Sequence, residues 1–254
     1  MNKKNALLKA SARENLLGHY GTVIAALFLS ALIILLLNIP FDNMLRQGFA
    51  FSVMPRMVMG ILGIVIVSLI AVLFESGILR IHLLLARGQD TRLKDILYPF
   101  QNRPDRYFGY GVAVMIVSII CQLPGSVCLI PVISGTAELS SPGIIGWTVL
   151  AIALYAIGAI VLIILMLSWS MTVFILLEDP EIRVTDAIRS SSRMMKGSRG
   201  RLFLLYLSFI AWILFGILSF LIGLLWIIPY MTQSQTCFYL DLLVKETHHA
   251  DNIS

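Results

Sequence analysis

The side chain best placed for chemistry in an apolar setting is Glu75, which follows the uncharged run Met57–Phe74 and precedes Ser76–Leu79. A carboxylate costs about 2.5–3.5 kcal/mol at the centre of a membrane helix, so one kept there is a candidate for holding a cation or carrying a proton. Arg80 and His82 lie just beyond it, and a plainer role, pairing with a base or reaching headgroups, stays open. A second candidate is the patch Thr232, Gln233, Ser234, Gln235 and Thr236, just after Pro229 in another apolar run. Polar side chains at membrane depth must face other helices or water. The patch therefore lines a substrate path or hydrogen-bonds between helices, the second being the commoner use. The third candidate is Arg189, Arg193 and Lys196, spaced i, i+4 and i+7 on one helix face. Ile188, Ser191, Ser192 and Met195 form the adjacent face, and Gly197 is placed to cap the helix. A basic face beside a less polar one suits a helix lying on an anionic inner leaflet, where each basic residue is worth about 1 kcal/mol. Ordinary topology signal produces the same composition.

Enzyme chemistry finds little to stand on. His19, His82, His248 and His249 show no metal-ligand spacing, and there is no Gly-x-Ser-x-Gly elbow, Walker loop or dinucleotide fingerprint. Cys121, Cys128 and Cys237 all lie in apolar runs, as small apolar residues do. We therefore assign no catalytic residue and expect neither metal nor cofactor.

These residues must be held by membrane helices. Of 254 residues 58% are apolar and 13% charged, against roughly 25% charged in ordinary globular domains. The length between breaks predicts six spans, at about 20–37, 57–85, 107–133, 144–177, 202–219 and 223–243. Pro124-Gly125 and Pro131 interrupt the third. The fourth lies in 34 uncharged residues, Ile144–Leu177, about 50 Å of helix against a ~30 Å hydrocarbon core. It is either strongly tilted or starts in the outer interface. Arg201 and Asp241 bracket 39 uncharged residues, about 58 Å of helix, enough for two spans with a reversal near Ser219–Gly223. Glu138–Gly143 reads as an outer turn, and His248-His249 as part of a disordered polar tail.

Charge orients the six spans. Seventeen of the 19 Lys and Arg residues fall in the N-terminal segment, alternate loops and the tail, leaving Arg46 and Arg56 in the others. The basic segments belong on the cytoplasmic side, with both termini. Net charge +5 and a pI near 9.2 are thus consequences of topology, and no nucleic-acid partner is expected. Lys3, Lys4, Lys9 and Arg13 precede Tyr20–Leu37 as in a signal peptide. That run is long and ends at Asn38-Ile39-Pro40 without a small-x-small site, so it reads as a retained anchor.

A weak repeat pairs the spans. Asp90-Thr91-Arg92-Leu93-Lys94-Asp95 and Glu181-Ile182-Arg183-Val184-Thr185-Asp186 place an acid, Arg and Asp at the same offsets, 91 residues apart. Each odd span also follows a short amphipathic segment; at 4–17 this has Leu8, Ala12 and Leu16 on one stripe. Three hairpins of one orientation, each introduced by an interfacial helix, describe the chain most simply.

The C-terminal third carries Met194-Met195-Lys196-Gly197, then Leu207-Ser208-Phe209-Ile210-Ala211-Trp212, Leu225-Trp226-Ile227-Ile228-Pro229-Tyr230 and Phe238-Tyr239. This pattern resembles a domain-of-unknown-function family of bacterial polytopic integral membrane proteins, in which Gly is common where Ala211 stands. The resemblance implies a bacterial cytoplasmic membrane and carries over no functional residues. The expected fold is all-α and polytopic, about six transmembrane helices in three hairpins with short cytoplasmic interfacial helices, forming one membrane domain. The expected function is non-enzymatic, in lipid or amphiphile handling or envelope homeostasis, with the bilayer and its anionic cytoplasmic headgroups as partners. The alternative is a transporter or its membrane subunit, and less favoured is an intramembrane enzyme. No protein partner is named by the residues.

Overall fold

A computed structural model describes residues 5–46, 53–133 and 142–251. Among them the chain is all-helical, without a strand. The helices are α1 (Asn5–Leu16), α2 (Tyr20–Arg46), α3 (Val53–Ala86), α4 (Tyr98–Gln101), α5 (Pro104–Ile133), α6 (Pro142–Trp169), α7 (Thr172–Glu178), α8 (Val184–Met194), α9 (Arg199–Leu207), α10 (Ile210–Leu218) and α11 (Leu224–Asp251). A 3-10 turn, Leu93–Leu97, precedes α4. Five segments are long and apolar enough to cross a membrane: Tyr20–Asn43, Val58–Ala86, Pro104–Ile130, Gly143–Glu178 and Arg199–Leu218. The expected turn at 138–141 lies outside the described residues.

Helix pairing is antiparallel where close contacts locate it. Ser126 Oγ and Tyr155 Oη are 2.9 Å apart, and Gly158 backs onto the Cys121 carbonyl, so α5 and α6 run in opposite directions. The Phe209 and Tyr230 rings meet edge-on at 5.1 Å, Gly216 faces Leu224 and Ile227, and Arg201 reaches Asp241. The α9–α10 segment and α11 are therefore antiparallel about the turn 219–223, as the uncharged length required. That turn holds Phe220 and Leu221 at φ 54° and 69°, in a left-handed region unusual for large side chains.

Packing concentrates at one end, the end bearing Arg87, Arg103, Arg106 and Arg201. One core cluster joins Leu8 and Ala12 of α1, Leu83 of α3, Tyr107 of α5, Phe174 and Leu176 of α7, Ala187 of α8, Leu202 of α9 and Phe238 and Leu242 of α11. A second joins Leu16, Val23, Ile81 and Ile96. Beyond that end few residues of α5 and α6 are fully buried, and the other described ones are half-buried or exposed. Such surface needs an apolar surrounding. Leu8, Ala12 and Leu16 are buried together, as their stripe predicted.

Three expectations are corrected. Pro124-Gly125 and Pro131 do not interrupt span 3, because α5 runs unbroken from Pro104 to Ile133. Membrane helices tolerate the lost hydrogen bond when neighbours re-satisfy or shield the freed groups, and here Gly125 seats the Tyr155 ring. Ile144–Leu177 is not the one continuous helix whose surplus length posed a choice between tilt and an outer segment. The chain breaks at Ser170-Met171 and spends Thr172–Glu178 on α7, buried in the basic end. His248 and His249 continue α11 rather than forming a loose tail.

The repeat has a structural counterpart. Arg92 and Arg183 both have extended backbone just before a helical turn, and Asp95 and Asp186 stand three residues on. The Asp95 carboxylate accepts the Arg92 N–H at 2.7 Å, a local bond that holds the turn's start. The two loops also meet, for Arg103 Nη1 donates to Glu181 Oε2 at 3.1 Å and Arg106 Nη1 to the Asp179 carbonyl at 2.8 Å.

The close α5–α6 contact gives a direct test. A Cβ on Gly158 overlaps the Cys121 carbonyl oxygen, whereas one on Gly146 meets nothing. Gly158→Ala is expected to cost about 1–3 kcal/mol and lower the thermal midpoint in detergent, with Gly146→Ala leaving it unchanged or raised. Equal midpoints would contradict this packing.

Candidate functional site

The polar interior centres on His82 and Gln233. Both are fully buried, and His82 Nδ1 lies 2.6 Å from Gln233 Oε1. A carboxamide oxygen only accepts, so with this orientation Nδ1 carries the proton and donates. Among the described residues, His82 Nε2 and Gln233 Nε2 have no hydrogen-bond partner. The pair joins α3 to α11 across an interior where an unmade hydrogen bond is costly.

The patch 232–236 is a set of helix ties. Gln235 Nε2 donates to the Ser170 carbonyl at 3.3 Å, helping to hold the break between α6 and α7. Thr232, Ser234 and Thr236 donate to carbonyls four residues back on α11, those of Ile228, Tyr230 and Thr232. Gln233, Ser234 and Thr236 are buried, and Thr232 and Gln235 half-buried.

Glu75 stands apart. It lies seven residues from His82, on the same face of α3 and about 10 Å along it. Its side chain is exposed, and among the described residues it makes no ion pair. Arg80, the expected base, instead lies 3.4 Å over the Tyr98 ring. The titratable groups strung nearest are Tyr110 of α5, within electrostatic reach of Glu75, and Tyr206 of α9, within reach of Tyr110.

Towards the basic end, polar groups form ion pairs. Arg87 pairs with Glu178, and Tyr239 Oη donates to the other Glu178 oxygen at 2.8 Å. Asp241, only 6% exposed, takes Arg201, whose guanidinium also lies 4.4 Å from the Phe238 ring centroid. Lys9 stands 4.3 Å from the Phe209 ring centroid, and burial holds its pKa below the usual lysine range. None of these contacts was readable from sequence, because their partners lie 37 to 200 residues apart. His82 left one trace, a histidine inside an apolar run two turns from Glu75.

Helix α8 buries a face shifted from the expected one: Ser191 and Met195 are buried as expected, but Ala187 and Met194 join them while Ile188 and Ser192 are only half-buried. Ala187, Ser191 and Met194 face inward, and Ser191 Oγ donates to the Ser168 carbonyl at 2.8 Å while accepting the Met171 N–H at 3.2 Å. Arg189, Arg193 and Lys196 are exposed. Arg189 is 3.6 Å from Asp186, Arg193 lies within reach of Glu246, and Gly197 closes the helix at φ +81°. The described residues contain no group of three metal-ligating side chains.

A family model described as "Protein of unknown function (DUF975)" matches residues 1–246, nearly the whole chain. The chain belongs to the DUF975 family. No curated protein matches it, and no solved structure does. The reading of the DUF975 chain therefore rests on its own residues, of which the structure brings together His82 with Gln233 and Gln235 with α6, and keeps Glu75 and the α8 bases separate.

The buried pair predicts strong coupling. Gln233→Leu or His82→Phe alone orphans the other polar group and is expected to cost about 1–3 kcal/mol, while the double variant recovers most of that loss. Denaturant unfolding in micelles measures the cycle, and additive losses would contradict the pairing.

Proposed function

We propose that this DUF975 protein is a non-enzymatic membrane protein that handles or senses lipids or other amphiphiles at the cytoplasmic face of the bacterial plasma membrane, in the service of envelope homeostasis. In this reading α11 is the sixth span, and the three hairpins α2/α3, α5/α6 and α9–α10/α11 leave both termini inside. α11 falls outside the five most apolar segments because it carries the patch 232–236 and a charged end beginning at Asp241.

The observation that carries the proposal is the division of α8. Its inward face is committed to the core through Ala187, Ser191 and Met194, while Arg189, Arg193 and Lys196 are exposed on one face. A cationic face anchored rigidly beside a membrane end is suited to anionic headgroups. Hydrogen exchange over 184–198 tests it, with the full chain in phosphatidylglycerol-containing nanodiscs and in phosphatidylcholine-only ones. Phosphatidylglycerol is expected to slow exchange. The triple variant Arg189→Gln, Arg193→Gln, Lys196→Gln should abolish that effect, and high salt should weaken it. Identical exchange in the two bilayers would refute headgroup contact.

A second reading, transport, is favoured by one observation: Glu75 is an exposed carboxylate on an otherwise apolar stretch, without an ion-pair partner among the described residues. Under it, proteoliposomes should pass protons at a rate that Glu75→Gln abolishes, as read with an internal pH dye. Equal flux from both proteins would remove this reading and leave the first.

A further inference from the structure

Glu75, Tyr110 and Tyr206 come from three helices and meet at one depth. Glu75 lies about 18 Å along α3 from Arg87, Tyr110 about 9 Å from the start of α5, and Tyr206 about 10 Å from the start of α9. Tyr110 is within electrostatic reach of both the others. Their helices belong to a closed ring: α3 packs on α5 and α11, α5 also on α6, α6 also on α9, and α9 also on α11. Side chains of α3, α5 and α9 that approach one another across such a ring face its inside.

The carboxylate is the member out of balance. Glu75 is exposed, so open space adjoins it. One turn outward the helices close up, for a Cβ on Gly111 of α5 would lie 3.2 Å from Leu69 and Val72 of α3. Among the described residues no base pairs with Glu75. Arg80 lies over the Tyr98 ring, and His82 is spent on Gln233. A carboxylate at membrane depth without a counter-charge is costly, so the sign of the missing ligand is positive. Its kind follows from the neighbours. No group of three metal-ligating side chains exists among the described residues, whereas hard metal ions need many oxygen ligands. One carboxylate beside two aromatic rings instead suits an ammonium ion dressed with alkyl groups.

We infer that Glu75, Tyr110 and Tyr206 form a site inside the α3–α5–α6–α9–α11 ring for one organic ammonium ion, its charge at the carboxylate and its alkyl groups against the two rings. The inference deepens the transport reading of Glu75 by naming a ligand class. It is tested by binding alone, so absent proton flux would remove transport and leave the site standing.

The test is calorimetric titration of the full chain in dodecyl maltoside, which carries no ammonium group, with protein-free micelles as the blank. Hexyltrimethylammonium is expected to fill one saturable site. Glu75→Gln should weaken it about a hundredfold, the scale of losing one partner of a desolvated charge pair, with the thermal midpoint unchanged or raised. Tyr110→Leu or Tyr206→Leu should weaken it about three- to thirtyfold, while Phe at either position keeps the ring and the affinity. Tetramethylammonium separates the sources of the ion: equal affinity identifies a soluble amine, and weaker binding identifies an amphiphile's headgroup. The triple α8 variant should bind as the parent does, which separates this site from the α8 face. Unchanged binding in Glu75→Gln, equal binding of hexyl sulfate, displacement by an equal concentration of sodium, or no saturable heat would each overturn the inference.

Discussion

Arg201 and Asp241 meet where α9 begins and α11 nears its end, and Arg87, Glu178 and Tyr239 meet where α3, α7 and α11 converge. Arg201–Asp241 is the more buried of the two pairs, and removing one partner of a buried pair typically costs about 3–5 kcal/mol. These contacts therefore fix which helix ends must coincide. Once they coincide, α1, α7 and α8 can close around them as a compact apolar core. The long helices need no such convergence further out, and their side chains are left to an apolar surrounding.

That arrangement separates two kinds of surface. At the basic end several arginines and Lys9 are used internally, on carboxylates, carbonyls or rings. Arg189, Arg193 and Lys196 are more open, standing exposed on one face of α8 with Arg189 beside Asp186. The excess of basic residues is thus only partly a topology signal; some of it is structural, and the remainder is where anionic groups have access. The polar patch of α11, by contrast, is spent on carbonyls and on His82.

Much of the helical layout was legible because apolar run length and charge spacing are local quantities. The stripe Leu8–Ala12–Leu16, the reversal after Ser219 and the exposed face Arg189, Arg193 and Lys196 follow from period and composition, whereas the buried face of α8 takes in Ala187 and Met194 rather than Ile188 and Ser192. The break at Ser170-Met171 was not legible, since nothing in Leu167–Val173 departs from an apolar helix. It depends on Ser191 and Gln235, both supplied by other helices. Pro124 misled for the opposite reason: its local effect is real but is overridden by the tight α5–α6 contact. The His82–Gln233 pair depends on residues 151 positions apart, beyond any local pattern.

In the proposed orientation the packed basic end faces the cytoplasm and α11 crosses the membrane to return there. Cysteine accessibility tests it most directly, using an active background in which Cys121, Cys128 and Cys237 are replaced, with single cysteines at Ser140, Gln89 and Ser254. A membrane-impermeant maleimide applied to intact cells should label position 140 only, and positions 89 and 254 only after the membrane is opened. Labelling of 140 and 254 from the same side would contradict the sixth span, and labelling of 89 from outside would contradict the orientation itself.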